Sequence, residues 1–134
     1  MNEAQYYYEL QNEYDFLMNS YKTSDGETIT KRQIDNNIKK AKKEFLRVFF
    51  DKWGYYFCER DLTTNTRLDC SHIISVRECQ DSGKSDLAYD LDNLELLSRE
   101  AHNQLEIWPN AKRKEWYYAR KEGMSFENFL VIFV

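Results

Sequence analysis

Two stretches decide the fold of this chain: residues 68–75, LDCSHIIS, and residues 91–106, LDNLELLSREAHNQLE. The first lies within a segment, Arg67 to Ile74, that predicts a strand. In the second, Leu94 to Leu97 predicts another short strand, and Ser98 is a good N-cap for a helix through about Glu106. Both histidines of the chain, His72 and His102, fall inside this unit, with Asn93 between them. One imidazole can take a proton from water, an amide can orient the group that does so, and a second imidazole can hold a divalent cation.

Outward from this unit the pattern turns helical. Residues 3–21 predict a helix, with Tyr7, Leu10, Tyr14, Leu17, Met18 and Tyr21 near helical spacing, followed by a turn at Thr23-Ser24-Asp25-Gly26. Thr28 or Thr30 can cap a second helix through about Trp53, which Gly54 ends. Its apolar positions are Ile34, Ile38, Ala41, Phe45, Val48 and Phe49, with Lys39, Lys40, Lys42 and Lys43 largely on other faces. Residues 75–90 read as a polar loop containing Gly83. Pro109 suits the start of a last helix at about 110–122. The tail SFENFLVIFV is apolar and must be covered, by the N-terminal helices or by a partner. The reading is α+β and mostly helical, a single domain over 1–134. It divides into a helical part (1–54), a strand–loop–strand–helix unit (55–106), and a C-terminal helix with apolar tail (107–134).

Composition narrows the class. In 134 residues, hydrophobic side chains make up 42% and aromatic ones 16%, enough for a modest core and too much for a disordered chain. Three cysteines at 58, 70 and 79 lack paired spacing and read as reduced thiols, which points to the cytoplasm. No apolar run nears the roughly 20 residues of a membrane span, and the acidic, aromatic start is unlike a signal peptide. The net charge of −4 is unevenly spread: residues 1–30 carry −5, 31–60 carry +5, 61–110 carry −6 and 111–134 carry +2. Phosphate affinity follows local cation density, so the basic segments matter more than the sum.

The unit at 55–106 resembles the HNH endonucleases, the ββα-metal or His-Me finger family. The residues that carry the resemblance are Asp69, His72, Ile73 and Ile74, then Leu91-Asp92-Asn93-Leu94 with Leu96 and Leu97, then His102. The resemblance implies a finger of two short antiparallel strands and a helix, packed between N-terminal and C-terminal helices. It implies a metal-dependent endonuclease that hydrolyses DNA phosphodiester bonds. His72 would be the general base, Asn93 would fix the loop and orient the base, and His102 would be a metal ligand. The family often has an acidic residue or histidine directly before the first His; here it is Ser71, and Asp69 is the nearest carboxylate that could help hold the cation. Magnesium, or manganese in its place, can work with one or two protein ligands.

Many family members also brace the finger with zinc held by two CxxC pairs. The matching positions read Cys58-Glu59-Arg60-Asp61 and Ser98-Arg99-Glu100-Ala101, so three of four thiolates are missing and no structural zinc is expected. Tyr55, Tyr56, Phe57, Trp108, Trp116, Tyr117 and Tyr118 are candidates for a packed replacement. DNA phosphates would be met by Arg67, Arg77 and Arg99 beside the site and by Lys39, Lys40, Lys42, Lys43, Lys112, Arg113 and Lys114. Hydrolytic machinery does not by itself distinguish ribose from deoxyribose, so RNA stays open. The alternative is a catalytically degenerate finger that binds nucleic acid or a protein. A homodimer or protein partner through the apolar tail is a further expectation. A small zinc-free finger would suit a phage or mobile-element nuclease.

Overall fold

The computed structural model describes residues 2–132, without the side chains of residues 15–18; the expected roles of Leu17, Met18, Phe133 and Val134 lie outside that description. Helix α1 spans Glu3–Met18 and gives way to a small antiparallel hairpin, β1 (Ser20–Lys22) and β2 (Thr28–Thr30). Tyr21 therefore sits in a strand, not in the helix expected through residue 21. Three-residue strands are too short for alternation to register in sequence. The turn between them uses Gly26 at φ 84°.

Helix α2, Lys31–Trp53, begins with a complete capping box. Thr30 accepts from the Gln33 amide at 3.2 Å, and Gln33 accepts from the Thr30 amide at 3.0 Å. Gly54, left-handed at φ 79°, closes the helix by donating to the Phe50 carbonyl. Ile34, Ala41, Phe45 and Phe49 form its buried stripe, while Val48, expected to join it, is exposed.

The strand–loop–strand–helix unit folds as expected in outline. Strand β3 (Leu68–His72) pairs antiparallel with β4 (Leu94–Ser98), and helix α4 (Arg99–Glu106) follows under a Ser98 cap. Facing pairs run from Leu68–Ser98 to His72–Leu94. All five residues of β4 are buried, because the strand is covered on both faces. Leu94 and Leu96 meet Ala41, Phe45 and Phe49 of α2; Leu97 packs with Cys58, Ala101 and Leu105.

The segment read as a polar loop is not one. Ser75 caps a short helix α3, Val76–Asp81, and 3-10 turns follow at Ser85–Tyr89 and Leu91–Asn93. Cys79 and Ala88 are buried there beside Ile73 and Ile74. A six-residue helix gives less than two turns of periodicity, and its polar outer face hides the two small residues it buries.

Helix α5 (Asn110–Lys121) and helix α6 (Phe126–Ile132) complete the fold. Phe129 is fully buried and Phe126 stacks on Trp108, so these two rings of the tail are covered from within, while Val131 and Ile132 stay exposed. Among the described residues no helix is long and apolar enough to cross a membrane.

Candidate functional site

Alternation along β3 sets out the site residues. Asp69 and Ser71 share one face with Leu97 and Glu95 of β4; Cys70 and His72 share the other with Leu96 and Leu94, toward α2.

On the first face Asp69 meets helix α4. His102 Nδ1 lies 3.1 Å from Asp69 Oδ2, and its Nε2 lies 3.0 Å from Glu106 Oε1. The imidazole is thus held between two carboxylates, one from the strand and one a helical turn further on. Glu106 was not anticipated, although its i+4 spacing from His102 was the available signal. Arg67 Nε and Arg99 Nε approach Asp69 at 3.3 and 3.4 Å. Burial opposes ionisation of Asp69, but the His102 hydrogen bond and the Arg99 and Arg67 charges prevail and hold its carboxyl below the usual range.

This pair fits a small divalent cation. Two donors at about 2.1 Å from a cation and at right angles lie roughly 3.0 Å apart, close to the observed separation. The Glu106 carboxylate supplies the outer partner that a metal-bound histidine usually has. Among the described residues no group of three or more His, Cys, Asp and Glu converges as a cage, so water or phosphate oxygens would complete the shell.

On the other face His72 is half-buried, and its Nε2 is 2.7 Å from the Ala88 carbonyl. A carbonyl only accepts, so Nε2 carries the proton and Nδ1 keeps its lone pair. Burial pushes His72 down to about 4, and the Lys42 and Arg113 charges add to this; the Ala88 carbonyl and Glu106 pull the other way. The ring is neutral at neutral pH.

Asn93 is fully buried and fully engaged. Its Oδ1 accepts from the Ile74 amide at 2.7 Å, and its Nδ2 donates to the Ile74 and Leu87 carbonyls at 3.0 and 2.9 Å. It therefore ties the end of β3 to the residue before Ala88, whose carbonyl fixes His72.

The expected phosphate contacts divide. Lys39, Lys40 and Lys43 are exposed and make no ion pair among the described residues. Arg77 is exposed with a distant i+4 partner, Asp81, at 3.7 Å. Lys42 is half-buried, close enough to His72 and Cys70 to influence both. Lys112 lies over the Trp108 ring at 4.2 Å, and Lys114 pairs with Glu78 at 2.6 Å. Arg113 is a correction: it is only 5% exposed and points inward. Its Nε donates to the Ile73 carbonyl at 2.6 Å and its Nη2 to the His72 carbonyl at 3.0 Å. It clamps the end of β3 and is not free to meet phosphate.

The four positions expected to stand where zinc ligands would be, Cys58, Asp61, Ser98 and Ala101, come together. Ser98 Oγ donates to Asp61 Oδ2 at 2.8 Å, Cys58 hydrogen-bonds to Asp61, and Cys58 packs with Ala101. The surrounding brace is more polar than the aromatic one expected. Arg60 grips Glu95 with two bonds of 3.1 and 3.0 Å, while Trp116 Nε1 donates to the same carboxylate. The Arg60 guanidinium lies 4.2 Å from the Phe126 ring. Trp116 and Tyr117 are buried, while Tyr55, Tyr56 and Tyr118 are exposed and pack only an edge or face on Phe57, Phe49 and Tyr117. The three cysteines are free, and burial pushes the Cys70 thiol up to about 11 and Cys79 up to about 12. Neither is a ready nucleophile.

Comparison with protein-family models, with curated proteins and with solved structures gives no match to this chain.

Proposed function

We propose that the chain is a metal-dependent endonuclease of HNH type acting on DNA, with Asp69 and His102 as the protein ligands of one divalent cation, magnesium or manganese, and His72 as general base. The observation that carries the reading is the Asp69–His102–Glu106 line, with an imidazole 3.1 Å from one carboxylate and 3.0 Å from another, on the strand and helix next to a second histidine of fixed tautomer. When bound, the cation would supply charge stabilisation at the phosphoryl and leaving oxygens.

The chain's own groups account for the rest. His72 accepts a proton from the attacking water at Nδ1 while Ala88 holds Nε2–H, and the carbonyl stabilises the imidazolium as it forms. The negative charge of a bound phosphate raises the basicity that burial lowers. Arg113 holds the His72 carbonyl, and Asn93 holds the Leu87 carbonyl next to Ala88. Asp69 and His72 stand three residues apart on β3, on opposite faces of the strand. Arg67 and Arg99 can turn from Asp69 to phosphate, and Lys39, Lys40, Lys42 and Lys43 supply sequence-independent affinity.

One observation favours a non-catalytic finger instead. Asp69 already has two arginine partners, and Ser71 is 3% exposed with its hydroxyl turned to the Asp69 carbonyl, so it offers no second ligand. Nicking of supercoiled plasmid in Mg²⁺, Mn²⁺ or EDTA, run beside His72→Ala, separates the two. Metal-dependent nicking lost in the variant supports the nuclease. Binding without nicking under any metal supports the degenerate finger.

A further inference from the structure

Helix α1 presents its described side chains to solvent. Every described side chain on it, residues 3–14, is exposed, including Tyr6, Tyr7, Tyr8 and Tyr14 at 53–64%. A helix of sixteen residues with four tyrosines and no basic residue is marginal in water without a packed face. Its stripe Glu3, Tyr7, Leu10, Tyr14 follows steps of four, three and four, which keep it on one face.

Helix α2 carries an outer stripe with the same steps: Lys39, Lys43, Leu46, Phe50. Lys39 and Lys43 are exposed and without ion partners among the described residues; Leu46 is half-buried, and Phe50 is 48% exposed. Laid parallel, the two stripes match position by position. Glu3 meets Lys39, the Tyr7 ring meets the Lys43 ammonium, Leu10 meets Leu46 and Tyr14 meets Phe50.

The match cannot be made within one chain. The hairpin pairs Ser20 with Thr30, and the Lys31 amide donates to the Asn19 carbonyl at 2.8 Å, so the end of α1 abuts the start of α2. Side by side in one chain the helices would run antiparallel, bringing Glu3 toward Leu46 and Tyr14 toward Asp35. We propose that two copies of the chain exchange their α1 helices, each lying parallel on the Lys39–Lys43–Leu46–Phe50 stripe of the other in a two-fold dimer. Reciprocal exchange closes the assembly at two copies. A helix about 24 Å long and about 11 Å thick that buries half its girth covers roughly 400 Å² on each side, so two arms give about 1,600 Å², the size of a stable interface. The proposal does not depend on nuclease activity.

Sedimentation equilibrium of the full chain from about 1 to 100 µM tests the association, a range suited to an interface of this area. The expected result is a species of twice 16.2 kDa. Leu10→Ala with Tyr14→Ala, both at exposed positions, should weaken the dimer by about 100-fold or more. Glu3→Lys and Lys39→Glu should each weaken it, and their combination in one chain should restore it. For register, Glu3→Cys with Lys39→Cys should give a disulfide-linked dimer, and Tyr14→Cys with Lys39→Cys should not. A chain monomeric throughout, or equal cross-linking by both cysteine pairs, would overturn the proposal. So would a dimer indifferent to Leu10 and Tyr14 but lost on Val131→Lys, which would move the interface to the C-terminal tail.

Discussion

Acidification should destabilise the protein through His72, and the size of the effect follows from its surroundings. Burial holds the folded ring at about 4, against an ordinary value of 6.5. The unfolded chain therefore binds more protons between these values, so the contribution is complete above pH 6.5 and is lost as pH falls toward 4. At pH 5 a group with these two values costs about 2 kcal/mol relative to pH 8. The perturbation is His72→Gln, which removes the titration but keeps a donor for the Ala88 carbonyl. The assay is urea unfolding of both proteins at pH 7.5 and pH 5. Carboxylates titrate in both, so their effect cancels in the difference. Wild type should lose about 2 kcal/mol more than the variant. Equal losses would mean that the ring is solvated and protonates freely, which would refute its buried, neutral state. The same depression sets activity: the acid limb of kcat/KM should fall below pH 5 and not near 6.5.

Three other outcomes follow from the geometry. Asn93→Ala removes three buried hydrogen bonds and should cost about 3 kcal/mol in denaturant unfolding, with activity at 25 °C falling even where the protein is folded. Arg113→Met should lower stability by about 2–3 kcal/mol and leave the salt dependence of DNA binding unchanged, while Lys40→Ala should do the reverse; a shallower salt slope in Arg113→Met would return that residue to the surface. Asp61→Cys, Ser98→Cys and Ala101→Cys together, beside the native Cys58, should create a protein that binds one zinc per chain by elemental analysis; a folded triple variant without zinc would break the correspondence with the family's bracing site.

Much of the strand–loop–strand–helix unit was legible because its signals are local. Ser98 caps α4, Thr30 and Gln33 form a box within four residues, and the apolar run Leu94 to Leu97 falls within β4, whereas β3 ends at His72, two residues short of the segment expected to Ile74. His72, Asn93 and His102 were singled out by type and order. What escaped depends on distant partners. Arg113 looks like its lysine neighbours until the fold turns it onto the carbonyls of β3. Glu95 should face water by alternation, yet Arg60, thirty-five residues earlier, draws it into the interior. The three-residue strands and the six-residue α3 escaped for want of length. Helix α1 was legible as a helix, but its Tyr7, Leu10 and Tyr14 face outward, which periodicity alone does not reveal.

The most direct measurement is the rate of plasmid nicking as a function of Mn²⁺ concentration for wild type beside Asp69→Asn. Saturable, metal-dependent nicking, with the half-saturating concentration raised about 10-fold or more in the variant, is the result expected if Asp69 and His102 hold the cation. A folded wild-type protein that leaves plasmid intact at every concentration, or two superimposable titrations, would contradict it.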